Sequence, residues 1–216
     1  MSEPWSCLPL PLADDVAAGW ASVFPEGVPG WLLEDASISA ATIAQAMARS
    51  PFLRQTLERQ PEQVRALLES RLLNEPTTPE YLQERWNEYL VDVADEPGLH
   101  SALRRFRREA QFRIIWRDLM RWADLPETIA ATSAFAEVCI QGALDWLHKS
   151  ACEQFGTPWG KDPVSGVEAP QSLIVIGMGK LGGGELNVSS DIDLIFAFPG
   201  KGETRGASRS LDNQQF

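Results

Sequence analysis

The chain has 216 residues, of which 44% are hydrophobic and 23% charged, and its formal net charge is −11. That is enough apolar material for a sizeable core in one large or two small domains, which excludes wholesale disorder, and no run approaches the ~20 apolar residues needed to cross a bilayer. An acidic chain is repelled as a whole by nucleic-acid phosphates, so neither a nucleic acid nor a membrane is expected as a partner.

The sequence opens MSEPWSCLPLPLADD, with Glu3, Asp14 and Asp15 but no basic start of the kind a signal peptide has, so a cytoplasmic location is expected. Residues 1–35 read as an irregular N-terminal segment. Cys7, Cys139 and Cys152 are an odd number without CxxC or Cys/His spacing, which argues for reduced thiols rather than a disulfide frame or a zinc site.

Residues 36–156 read as a helical region. Ser50-Pro51, Gln60-Pro61 and Thr78-Pro79 each place proline where a first helical turn favours it, and Ser50 and Thr78 are also good N-caps. After Thr78-Pro79, the residues Tyr81, Leu82, Trp86, Tyr89, Leu90 and Val93 recur at three- and four-residue steps and mark one buried stripe. The pattern predicts a helix to about Ala94, stopped by Pro97-Gly98. From Leu99 to Trp122 the apolar surface is broad enough for burial on more than one side. Residues 100–123 also hold seven arginines against two acids, net +5, which either grip a phosphate-bearing partner or form the solvated face of a helix. A last helix opens at Pro126, passes Ala130, Ala134, Val138, Ala143 and Leu147 toward Phe155, and has Gly156 as its stop.

Composition then changes. Residues 157–171 are rich in proline and glycine and read as a linker. Ser172–Met178 is a short β-branched apolar run, predicted as a buried strand, and Asp191–Phe198 reads as a second strand closed by Pro199-Gly200. Between them, Gly177, Gly179, Gly182, Gly183 and Gly184 are five glycines in eight residues. Such a turn lets the backbone approach a ligand and present N–H groups to phosphate, especially if a short helix begins at Gly183. Gly177, Gly179 and Gly182 also satisfy the GxGxxG of a Rossmann dinucleotide site. The following Asn187-Val-Ser-Ser is a poor helix, however, and the acid expected ~20 residues on falls in a Pro-Gly turn, which counts against that reading.

Asp191-Ile-Asp193 is the second chemical feature. Two apart on a strand, both carboxylates project from one face, and at ~7 Å with an effective dielectric of ~20 they repel by roughly 2–3 kcal/mol unless a cation lies between them. Hard oxygen ligands of this kind suit Mg²⁺, or Mn²⁺, shared with a substrate phosphate.

A glycine turn after one strand, followed at short spacing by DxD on the next, resembles the nucleotidyltransferase superfamily that includes DNA polymerase beta. More narrowly, GMGKLGGGELNVSSDIDLIF over residues 177–196 is similar to the signature of the bacterial glutamine synthetase adenylyltransferases (glutamate-ammonia ligase adenylyltransferases). Ser210-Leu-Asp-Asn-Gln-Gln-Phe216 is similar to the segment that follows it in that family. The resemblance implies a mainly α chain with a partial α+β, polymerase beta-like nucleotidyltransferase domain at its C-terminal end, starting within 172–216 and incomplete there. It implies the adenylyl-removing role, in which phosphate cleaves AMP-O-tyrosine on adenylylated glutamine synthetase and ADP is released, within an ATP-using enzyme controlled by the PII signalling protein. Carried over, Asp191 and Asp193 are the catalytic metal ligands and Gly182 and Gly183 lie against nucleotide phosphate. Ser190 either orients a phosphate or caps its own loop, and Lys180 either neutralises phosphate or is a solvated loop residue. Glu185 reads as an acid in the first turn of a helix. The third carboxylate of such a site would have to be Glu203, expected in a turn, or Asp212. A rival of another class is a non-catalytic helical module docking on glutamine synthetase or PII.

Overall fold

The computed structural model describes residues 3–30, 32, 38–162, 164–208 and 210–216. It is mainly helical, with short antiparallel strands near the C-terminal end, and it divides into two compact units: Met1–Thr78 with Arg105–Thr132, and Pro79–Arg104 with Ser133–Phe216.

The first unit begins with α1 (Leu10–Val23), where an irregular segment was expected. Pro11 sits in its first turn, and Val16, Gly19, Trp20 and Val23 are buried at helical spacing. The expected boundary at 35/36 lies outside the described residues. In α2 (Ala40–Arg49) a capping box closes the start: the Thr42 N–H donates to Ser39 Oγ at 3.1 Å and the Ser39 N–H to Thr42 Oγ1 at 3.4 Å. The helices α3 (Pro51–Arg59) and α4 (Pro61–Glu69) both start at proline as predicted. Ser50 Oγ accepts from the Leu53 N–H at 3.2 Å, whereas Gln60 supplies no side-chain cap. Val16, Trp20, Ile43, Met47, Leu53, Leu57, Leu68, Phe112 and Trp116 form the core of this unit. Each fully buried aliphatic or aromatic side chain stabilises it by roughly 1.5–3 kcal/mol.

Two arginines of the basic segment take neither of their predicted roles. Arg113 and Arg117 are 0% and 3% exposed. Arg113 donates to Thr77 Oγ1 at 2.9 Å and to the carbonyls of Leu72, Glu75 and Pro76, while Arg117 donates to the carbonyls of Leu73 and Asn74 at 2.8 and 2.9 Å and pairs with Glu127 at 2.8 Å. The chain from Leu72 to Thr77 contains only one turn of 3-10 helix (Leu72–Asn74), so its carbonyls lack helical partners. The guanidinium forks supply them. Arg104, Arg105, Arg107 and Arg108 remain exposed.

In the second unit, α5 (Pro79–Leu90) buries Leu82 and Trp86 on the predicted stripe but stops at Leu90. Pro97-Gly98 does not end this helix; it opens the next one, α6 (Glu96–Leu119). Proline needs no N–H acceptor in a first turn, and Asp95 Oδ1 accepts from the Gly98 N–H at 2.8 Å as the cap. The long α7 (Leu125–Phe155) ends as predicted at Gly156, which adopts φ +83 and whose N–H donates to the Cys152 carbonyl at 2.9 Å. The helices α6 and α7 each contribute residues to both units.

Residues 157–171, expected as a linker, instead form β1 (Thr157–Lys161) and β2 (Glu168–Pro170). The turn between them is fixed by Asp162, whose Oδ1 accepts from the Val164 and Ser165 N–H groups and from the Ser165 hydroxyl at 2.6–3.0 Å. These bonds hold the Asp162 carboxyl below its ordinary range, the Ser165 N–H contributing most. β1 also pairs with β5 (Gly202–Arg205), giving an antiparallel sheet ordered β2-β1-β5, across which Arg205 pairs with Glu168 at 2.7 Å. The remaining strands, β3 (Ile174–Gly177) and β4 (Leu194–Ala197), make a separate antiparallel pair.

Candidate functional site

The glycine-rich segment joins β3 to β4. Pairing runs Ile174 with Ala197, Val175 with Phe196, Ile176 with Ile195 and Gly177 with Leu194, and the Met178 N–H extends it by donating to the Asp193 carbonyl at 2.9 Å. Asp193 therefore occupies the next register position beyond Gly177–Leu194, but regular β4 begins only at Leu194. The two carboxylates thus precede the strand rather than lying on it. Antiparallel pairing also removes the Rossmann alternative, which requires parallel strands around its glycine turn.

The turn itself is one helical cycle, α8 (Gly179–Gly182), not a helix beginning at Gly183. Glu185 consequently follows the helical turn instead of opening one. The N–H groups of Gly182, Gly183, Gly184 and Glu185 donate to the carbonyls of Met178, Gly179, Leu181 and Lys180 at 2.7–3.2 Å. Those amides are satisfied within the turn, so they are not the open phosphate cradle expected of them. What the glycines provide is room. A Cβ on Gly182 would stand 2.5 Å from the Gly177 carbonyl oxygen, which makes glycine a requirement of the turn. At Gly183 a Cβ would meet only ordinary contacts, 3.6 Å from the Gly179 oxygen and 3.8 Å from Glu185, and φ is −88. The fold does not demand glycine there.

Leu181 and Leu186 anchor this segment and escaped the sequence reading. They are 5% and 4% exposed, they cluster with Ala136 of α7, and the Leu186 N–H donates to Ser133 Oγ at 3.1 Å. The signal was present: they are the only large apolar residues between Met178 and Val188. Beside them, a cavity of about 1050 Å³ runs between α7 and β3, with Gly177, Gly182 and Leu194 in its wall together with Glu137, Asp145 and His148. Gly183, Lys180, Ser190, Asp191 and Asp193 lie outside that wall.

Asp191, Asp193, Lys180, Gly182 and Gly183 are all exposed. The Asp191 and Asp193 carboxylates engage no other described side chain, and no group of three or more His, Cys, Asp or Glu converges as a metal site among the described residues. Two free carboxylates two residues apart fit one hard cation whose remaining positions are filled by phosphate oxygens and water, and they do not fit a closed, all-protein site. Ser190 caps its own loop, its Oγ accepting from the Asn187 N–H at 3.3 Å. Glu203 lies on β5, not in a turn, and bridges to Asp212; both belong with the β2-β1-β5 sheet, apart from β3-β4.

The first strand, predicted as buried, is not: Ile174 and Ile176 are 45% and 46% exposed, and on β4 Ile195 and Phe196 are 48% and 62% exposed, because β3 and β4 pair only with each other among the described residues.

Known proteins match most of the chain, this segment included. The family described as glutamate-ammonia ligase adenylyltransferase matches residues 40–216. A bifunctional glutamine synthetase adenylyltransferase/adenylyl-removing enzyme of Pseudomonas aeruginosa is 51% identical over 169 residues, 78% of this chain and 17% of that protein. Proteins of the same description from Shewanella oneidensis and Pseudomonas putida are 44% and 46% identical over 77% and 80% of this chain, again 17% of each. The chain thus spans about a sixth of the length of the curated relatives it matches, and it belongs to the glutamate-ammonia ligase adenylyltransferase family.

Proposed function

We propose that this chain carries the opening of a polymerase beta-like nucleotidyltransferase domain, and that the protein containing it removes adenylyl groups from glutamine synthetase in the cytoplasm. One observation carries the reading: residues 177–196 join a turn with five glycines to a register position held by Asp193, with Asp191 two residues before it. The relatives' names give glutamine synthetase as their target, and the resemblance of this segment to the adenylyl-removing form supports the choice of direction.

In the proposed reaction an oxygen of inorganic phosphate attacks the phosphorus of AMP-O-tyrosine. The bond from phosphorus to the tyrosyl oxygen breaks, ADP leaves, and the tyrosine oxygen takes a proton. Asp191 and Asp193 would hold Mg²⁺ or Mn²⁺, which supplies charge neutralisation at the phosphoryl oxygens. Gly182 and Gly183 let the nucleotide phosphates approach the backbone, and Lys180 contributes positive charge at the mouth of the turn. Ser190 acts at one remove by holding the Asn187–Ser190 loop. PII is the proposed regulator, and ATP is the nucleotide of the opposite, adenylylating direction.

The test uses a protein of the relatives' length that contains this sequence. Incubated with adenylylated glutamine synthetase, phosphate and Mg²⁺, it should release ADP, and Asp193→Asn should stop the release. Release of AMP by water would overturn the phosphorolytic assignment, and release of nothing would overturn it in favour of a docking role.

A further inference from the structure

The first unit holds a second hollow, unrelated to the glycine turn. It has a volume of about 400 Å³ and lies between α2 and the turn that follows α6. Thr42, Gln45 and Arg49, three and four residues apart, form one helical face and one wall; Met120, Arg121 and Trp122 contribute to the other. Among the described residues both charged groups of the lining are arginines and no carboxylate lines it, in a chain whose net charge is −11.

The far wall is fixed in place. The Arg121 N–H donates to the Asp118 carbonyl at 3.0 Å and the Trp122 N–H to the Arg117 carbonyl at 2.8 Å, the two bonds of a Schellman cap. The buried Arg117 also donates to the Trp122 carbonyl at 3.2 Å, and the Trp122 ring sits edge-on to Trp116 with centroids 6.4 Å apart. Arg49 spends one donor on the Leu119 carbonyl at 3.3 Å, which positions its guanidinium and leaves the others for a ligand. Arg121 occupies the left-handed position of the cap, at φ +58, where glycine is the usual and less strained residue.

We propose that this hollow binds a small organic anion, its carboxylate or phosphate held between Arg49 and Arg121 and its apolar body against Met120 and Trp122. Two guanidinium forks match an oxyanion, Thr42 and Gln45 add neutral donors, and the indole supplies a flat face. An aromatic or aliphatic monoanion fits the volume; a nucleic acid or a protein surface does not enter it.

The experiment titrates the 216-residue chain with benzoate, with phenyl phosphate and with phenol, following the Trp122 indole N–H by NMR, its resonance assigned through Trp122→Phe. The expected result is a saturable shift with at least one of the two anions and none with phenol, the tighter anion naming the headgroup. Arg49→Gln and Arg121→Gln should each weaken binding by about tenfold, the loss of one charge-assisted hydrogen bond. Arg121→Gly should weaken it equally while raising the melting temperature, a combination that damage to the fold cannot produce. The proposal is overturned if neither anion shifts the resonance, if phenol shifts it as much as the anions do, or if the two Gln variants bind as the parent does.

Discussion

Arg113 is fully buried, and its partners include the Thr77 hydroxyl and three backbone carbonyls. Removing the guanidinium takes the side-chain donor from those part-buried carbonyls. We expect Arg113→Met to lower stability by roughly 3 kcal/mol in urea unfolding, with Arg113→Lys recovering only a part, since one ammonium cannot span so many acceptors. The arginine run was legible as charge. Its division into buried clamps and exposed residues was not, because the acceptors in the Leu72–Thr77 segment lie 36–44 residues away in the chain. Gly182 and Gly183 separate in the same way. Gly182→Ala should cost about 1–3 kcal/mol, because the new methyl overlaps the Gly177 carbonyl, whereas Gly183→Ala should leave the melting temperature nearly unchanged. If Gly183 serves phosphate approach, its Ala variant loses nucleotide affinity alone, and calorimetry with ADP and Mg²⁺ reads that difference.

Among the elements, the helices that begin at Pro51, Pro61 and Pro79 were legible because proline and its capping neighbour act locally. Pro97-Gly98 misled for the same reason: the pair punctuates a helix boundary either way, and only the Asp95 cap tells start from stop. The β1–β2 hairpin was hidden because Pro158, Gly160 and Pro170 depress strand propensity within strands held by their partners. α5 and α7 meet where Gly142 accepts the Trp86 indole; a Cβ there would overlap the ring. Alanine in mid-helix gains about 1 kcal/mol in propensity, while overpacking a buried indole costs about 1–3 kcal/mol. We therefore expect Gly142→Ala to be destabilising on balance by up to about 2 kcal/mol in thermal unfolding, and Trp86→Phe in the same background to restore part of the loss.

At the scale of the whole molecule, the family and the segment that carries its signature were legible in residues 177–196, while the geometry around them was not. Periodicity indicated two strands but placed Asp191 and Asp193 on the second, whereas they lie three and one residues before regular β4 begins. The apolar run also indicated burial for Ser172–Met178, where Ile174 and Ile176 are half-exposed, because cover depends on contacts that local pattern does not encode. The central claim is that Asp191 and Asp193 together hold a divalent cation with a nucleotide, and titration calorimetry of ADP into the 216-residue chain tests it most directly. Saturable binding is predicted with Mg²⁺ and none with chelator present, and the Asp191→Asn/Asp193→Asn variant should lose that binding while melting at the same or a higher temperature, its mutual repulsion relieved. Unchanged ADP affinity in the double variant, or affinity indifferent to Mg²⁺, would contradict the account.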